Sequence, residues 1–260
     1  MKIPPIPRID HWFTTEAQRA LAGLHDEVSR ETSDSLREGL KLALSAITVR
    51  VSNQDGETRY AAVKKNVSEE QVFLFFQRAA DKIDAARSYY QNQLFDTPRF
   101  SSRLLTADIL SVTPKDIGPV DLVITSPPYP NAYEYWLYHK YRMYWLGFDP
   151  IAVRESEIGA RPHFFKKNPH TSEDFQRQMG IVFKLLSSVM STGSLACFVV
   201  ADSMIRGEIV DNVKLLANAG NSNHFRVVTT ISRDVPDTRK TFNPVNGRIV
   251  KESLVVFGRC

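Results

Sequence analysis

Val120-Asp121-Leu122-Val123-Ile124-Thr125-Ser126-Pro127-Pro128-Tyr129 is the stretch whose reading decides the fold of this chain. Its first half is an apolar run of strand length, and its second half cannot continue a strand. Two successive prolines remove two backbone donors and fix φ, so a sheet ladder must stop there. Ser126 is held extended by the proline after it and is left at the carboxyl edge of the sheet. Open α/β sheets bind their ligands at that edge. A polar residue, two rigid prolines and an aromatic ring at a strand end read as a reaction site.

The residue types suit one chemistry. An exocyclic amino group on a nucleobase is a poor nucleophile, because its lone pair is delocalised into the ring. An enzyme that alkylates it must accept hydrogen bonds from both amino hydrogens and hold the nitrogen facing the donor. Ser126 Oγ can accept one bond and the rigidly placed Pro127 carbonyl the other, while Tyr129 offers a ring face to a base extruded from its stack. The stretch resembles the catalytic motif of the DNA amino-methyltransferases, (Asp/Asn/Ser)-Pro-Pro-(Tyr/Phe), here Ser126-Pro127-Pro128-Tyr129. The resemblance implies S-adenosylmethionine as methyl donor, DNA as substrate, a restriction–modification setting and, from the serine form, cytosine N4 as target. Adenine N6 and an RNA base stay open as targets. A Pro-Pro turn after a buried strand, or a polyproline ligand, is the alternative without chemistry.

Upstream, Leu104-Leu105-Thr106-Ala107-Asp108 reads as a short strand ending in an acid. In the resembling family an acid at the end of the third strand approaches the cofactor adenine, a role that falls to Asp108. An Asp in such a place is otherwise a helix cap. The family's Gly-rich turn, commonly Phe-x-Gly-x-Gly, has no counterpart: no glycine lies within two residues of another. No dinucleotide fingerprint or phosphate-cradling loop exists either. The order of motifs therefore predicts the carboxyl-terminal part of a split enzyme, with a second polypeptide carrying the cofactor turn. A fragment of a longer chain reads the same way. The missing turn also leaves room for a subunit that binds DNA without methylating it.

The fold class expected is α/β: the second half of a Rossmann-like methyltransferase sheet over residues 100–260, preceded by a mostly helical segment over residues 1–99. In the first segment, apolar residues at helical spacing predict helices from Thr14–Thr15, through Leu36 to about Val51, and from Ser68 to about Tyr90. In the second, a helix rich in aromatics follows the motif from Tyr133 toward Gly147, and Thr171 to Asp174 has capping-box spacing. A buried strand over Leu195–Val200, a helix from about Glu208 to Ala219 and a final antiparallel pair, Phe225–Ile231 with Ser253–Phe257, complete the pattern. Asn131 and Tyr133, nearest the motif, are the candidates for the base pocket. Most of the other aromatics are expected in the core.

The chain has 260 residues, 43% of them hydrophobic, enough for a sizeable core. It has no apolar run of membrane-spanning length and no secretory leader, and a bacterial, nucleoid-associated cytoplasmic protein is expected. Cys197 and Cys260 form no disulfide framework, and the histidines lack metal-ligand spacing. A formal charge of +4 permits DNA binding without requiring it. The basic residues chosen for phosphate contact are Arg161, Lys166 and Lys167, in a loop with interleaved aromatics, and Arg239, Lys240 and Arg248, in the loop before the last strand. A third basic stretch runs from Arg59 to Lys65. A solvated loop is the plain alternative for each.

Overall fold

The computed structural model describes residues 2–57, 59–93, 101–131, 133–235 and 251–260. The chain divides into two compact units: Met1–Leu104 with Trp136–Glu155, and Leu105–Tyr135 with Ser156–Cys260. Residues 99 and 100, the expected meeting point of the two segments, lie outside the described residues. The aromatic segment after the motif belongs mainly with the helical unit.

The first unit is built on α1 (Ile9–Trp12), α2 (Thr15–Arg30), α3 (Asp34–Val51) and α4 (Glu69–Gln93), with a small antiparallel pair, β1 (Gln54–Gly56) and β2 (Arg59–Ala62), between the last two. Thr14 caps α2: its side chain accepts from the Ala17 N–H at 3.1 Å and donates to the Val67 carbonyl at 2.9 Å. One hydroxyl so satisfies an orphan helix donor and ties two segments 53 residues apart. Phe13, Leu21, Leu44 and Val72 are buried together with Tyr141 and Trp145. The Tyr60 and Tyr141 hydroxyls meet at 2.8 Å inside this cluster, so burial of the rings leaves neither oxygen unsatisfied.

The expected helix from Tyr133 is shorter and broken. After α5 (Pro114–Ile117) of the second unit, it runs as α6 (Tyr135–Tyr138), bends at His139 (φ −98°, ψ 5°) and resumes as α7 (Lys140–Trp145), followed by α8 (Pro150–Ser156). Trp136, Tyr138, Tyr141 and Trp145 are buried, as core packing requires of so many rings. His139 is fixed by its Nδ1 contact to Arg142 at 2.8 Å, and Arg142 also donates to the Ser45 carbonyl at 2.9 Å and pairs with Glu57.

The second unit holds the main sheet. Its strands in chain order are β3 (Val120–Thr125), β4 (Met190–Ala201), the short β5 (Ser203–Ile205) and β6 (Glu208–Val210), β7 (Phe225–Asp234) and β8 (Lys251–Arg259). Four of them form the sheet in the order β3-β4-β8-β7. β3 and β4 are parallel, and β8 runs antiparallel to both β4 and β7. The fold is thus α/β, with an open mixed sheet that ends in the expected antiparallel pair. α9 (Ser172–Val189) and α10 (Asn212–Asn221) cover one sheet face. Phe183 of α9 stacks on Phe198 at 5.1 Å between ring centroids and meets Phe257 edge-on at 5.0 Å. Asp174 accepts from the Thr171 N–H at 2.9 Å, forming the capping box legible in the sequence.

Two expectations are corrected. Leu104–Asp108 is not a strand: all five residues are exposed, Leu104 at 93%, and among the described residues no ladder holds them. A short apolar run without a neighbouring strand to accept its backbone bonds does not become one. The helix expected from Glu208 starts only at Asn212. Glu208–Val210 instead pairs as β6 with β5 across Arg206 and Gly207, whose φ angles are 53° and 85°. Two successive left-handed residues form the type I′ turn that suits a tight hairpin. Asp211 then caps α10 by accepting from the Lys214 N–H at 2.9 Å.

No helix among the described residues is long and apolar enough to cross a membrane.

Candidate active site at the carboxyl edge of the sheet

β3 ends at Thr125, and the prolines turn the chain across the carboxyl ends of β3 and β4. Ser126 is exposed, Pro127 is buried and Tyr129 is 7% exposed, packed with Ile158, Phe175 and Val200 in the core of the unit. The Ser126 hydroxyl donates to the Val199 carbonyl at 3.3 Å and the Tyr129 hydroxyl to the same oxygen at 3.4 Å. A hydroxyl whose hydrogen is committed in this way presents its lone pairs outward as an acceptor. Ser126 therefore reads as an acceptor at the sheet edge. Tyr129 is a structural anchor, and burial raises its phenol above the ordinary range.

The segment after the motif is locked from a second side. Asn131 adopts a left-handed conformation (φ 58°), its N–H donates to the Gly159 carbonyl at 2.9 Å, and its side-chain amide donates to the Met204 carbonyl at 2.6 Å. Asn131 is thus a loop anchor. Gly159 itself has φ +72°, and a Cβ there would sit 3.2 Å from both Pro130 Cα and the Tyr129 carbonyl oxygen. Only glycine combines that conformation with so close an approach. The need for it was invisible in the sequence, because Gly159 lies far beyond the motif along the chain.

Around this edge stand aromatic and charged groups. Tyr133 and Tyr135 rings lie 5.7 Å apart at 32°, and Tyr135 is exposed. Tyr135 was not singled out by the sequence, where it is one of many rings along Tyr133–Tyr141, most of them expected in the core. Its N–H donates to the Glu157 carboxylate at 3.0 Å. Burial raises the Glu134 carboxyl above the usual range, against the pull of the Arg161 cation. Arg233 pairs with Glu252 where β7 meets β8, and both charges act on Tyr129. Asp202, at the end of β4, is raised by burial and then by Asp211, with Lys251 opposing.

The remaining candidates are placed as follows. Asp108 lies in an exposed turn, its carboxylate accepting from the Leu110 N–H at 3.0 Å; this is local turn chemistry, without a strand end behind it. Arg161 opens a short 3-10 helix (Arg161–Phe164), its guanidinium 5.5 Å from the Phe165 ring, and Lys166 and Lys167 beyond it are exposed. Lys65 of the third basic stretch is engaged by the Val49 carbonyl at 3.2 Å and the Gln54 carbonyl, so it serves the fold. Arg239, Lys240 and Arg248 lie outside the described residues. Among the described residues no group of three or more His, Cys, Asp or Glu is placed to hold a metal ion.

No family model and no curated protein matches this chain. Among solved structures it is similar to a protein described as a DNA modification methylase from Thermus thermophilus, at 12% identity and a TM-score of 0.28. The match covers 34% of this chain and 37% of that one, so the chain spans little more than a third of that protein's length.

Proposed function

We propose that this chain carries the base-orienting part of an amino-methyltransferase that acts on DNA, with cytosine N4 as the target atom. The observation that carries the reading is the placement of Ser126. It follows a parallel strand, it is exposed at the carboxyl edge, and its hydrogen is committed to the Val199 carbonyl. Its oxygen can then accept one amino hydrogen of a flipped base while the Pro127 carbonyl accepts the other. Those two bonds turn the nitrogen lone pair out of conjugation and toward the donor. S-adenosylmethionine supplies an activated sulfonium methyl when bound. The exposed Tyr135 ring beside Tyr133 is the stacking surface that fits an extruded base, since Tyr129 is occupied in the core.

The residues present fit the base and not the whole cofactor. The sequence has no turn with two close glycines, and the Asp108 carboxylate is used by its own turn. Cofactor binding is therefore assigned to a partner polypeptide, with Asp108 at most a contact to its adenine. Arg161, Lys166 and Lys167 supply phosphate contacts.

The test is methyl transfer to DNA by this chain assembled with its partner, read by nucleoside analysis of the product. Ser126→Ala is expected to lower transfer by on the order of a hundredfold, the usual weight of one positioned polar group in a reacting site, with assembly unchanged. Product N4-methylcytosine supports the reading, and N6-methyladenine moves the target to adenine. Full activity in Ser126→Ala would place the reacting edge elsewhere. The missing glycine turn favours one second reading, a methyltransferase-fold subunit that binds DNA without catalysis. DNA binding without any methylated nucleoside would decide for it.

A further inference from the structure

The two edges of the sheet are built differently. β7 is protected as a permanent edge should be: Arg226, Arg233 and Asp234 line it, and a bulge between Val227 and Thr229 twists its ladder. β3, at the other end, is paired only with β4 among the described residues; its ladder is irregular between Val120 and Leu122 and it carries one charge, Asp121, but neither lysine nor proline lies within Val120–Thr125. Past Asp121, its run Leu122-Val123-Ile124 has the character of a central parallel strand, a type of strand that is covered on both faces.

The sheet face away from α9 and α10 has the same character. Register places Leu122 and Ile124 of β3 beside Leu195 and Cys197 of β4, and Thr229 and Ile231 of β7 beside Val256 and Leu254 of β8. Ile124 is 74% exposed, Val228 63%, Ile231 59% and Leu122 53%. With Leu195 they leave roughly 500 Å² of apolar side chain open, near the top of what an ordinary monomer exposes in one patch. The half-buried residues between them and the open edge of β3 extend this toward the ~800 Å² per partner of a stable interface.

We infer that the free edge of β3 and this sheet face receive a second polypeptide carrying a strand–helix unit, its strand parallel to β3 and its helix laid across Ile124 and Leu122. A second copy of this chain would satisfy the edge by pairing β3 with β3 and would leave the face uncovered. A strand–helix unit satisfies both, because parallel strands are joined by helices that cover the sheet. The inference rests on the proposed function for its consequence: a strand parallel to β3 ends at the same edge as Ser126, so the turn after it is the place for the cofactor-binding glycines.

The test is co-expression of the full chain with each polypeptide encoded beside it, followed by native mass determination. A one-to-one complex is expected with a partner whose sequence reads as strand, Gly-rich turn and helix. Amide exchange at residues 121–125 slows in the complex. Ile124→Lys weakens assembly by more than about tenfold, on the order of the 1.4 kcal/mol that one buried aliphatic side chain supplies, at an unchanged unfolding midpoint. Ile209→Lys, an exposed apolar residue on the β5–β6 hairpin, leaves assembly unchanged. A monomer in every pairing overturns the inference, as does a complex indifferent to Ile124→Lys, or a homodimer abolished by it. A complex that forms through this face but transfers no methyl group would sink the functional reading and leave the interface. A monomer that methylates DNA alone would do the reverse.

Discussion

At the scale of single residues, Ser126 and Tyr129 share one acceptor, the Val199 carbonyl, and divide the work between them. Ser126 is exposed and has acceptor capacity to spare, whereas Tyr129 fills the core. Tyr129→Phe is expected to cost about 1 kcal/mol, the net worth of one hydrogen bond, and to leave methyl transfer largely intact. Tyr129→Ala opens a cavity and is expected to cost about 3–5 kcal/mol. Denaturant melts of both variants, compared with their transfer rates, separate packing from chemistry. A rate loss in Tyr129→Phe as large as that of Ser126→Ala would give the phenol a direct role. His139 makes a different prediction. Burial, then the Arg142 cation, hold its imidazole below the usual 6.5, with Glu57 opposing. In the interval below pH 6.5 the unfolded chain therefore binds more protons than the folded one, and stability falls as the pH falls through that interval. His139→Gln is expected to flatten this part of the stability–pH curve; an unchanged slope would assign the proton to another group.

At the scale of elements, the reaction edge is held by partners that come from far along the chain. Gly159 accepts the Asn131 N–H and lies against Pro130, and Met204 accepts the Asn131 side chain. Gly159→Ala must strain a left-handed backbone and push on the Tyr129 carbonyl. The expected cost is about 1–3 kcal/mol, within the range for a residue held in a sparsely populated conformation, and the transfer rate falls with it because the motif is displaced. A melting point indistinguishable from the parent's would mean that the loop gives way without strain. These anchors explain how much of the site could be read in advance. Ser126-Pro127-Pro128-Tyr129 is contiguous, and proline chemistry alone stops the strand, so its position at the sheet edge was legible. Asn131 was legible as a neighbour of the motif, but its role as an anchor was not, because Gly159 and Met204 are brought to it only by folding. Leu104–Asp108 misled for the complementary reason: a strand is a property of its partner as much as of its own residues.

At the scale of the whole molecule, charge and assembly are what experiment can vary. The net charge of +4 is modest, so DNA affinity must depend on where the cations lie. Lys166 and Lys167 are exposed beside the short helix that carries Arg161. Replacing both with Gln is expected to lower the slope of log affinity against log salt by about 0.9 for each phosphate no longer neutralised, without changing sequence preference. An unchanged slope in a salt titration would remove this loop from the DNA-binding surface.

Composition and local pattern alone determined that this chain is α/β, that the three long helices α2, α3 and α4 come before the sheet, that β3 stops before Ser126 and that the sheet ends with an antiparallel pair. Each follows from interactions within a few residues: apolar period, helix caps and the covalent limits of proline. The tertiary structure alone decided which aromatic rings are core and which are open, that Asp108 has no strand behind it, and that Arg206-Gly207 turns a hairpin where a helix was expected. It also left β3, which has a central strand's sequence, paired with β4 alone among the described residues. These depend on long-range pairing and burial, which the order of residues encodes but does not display.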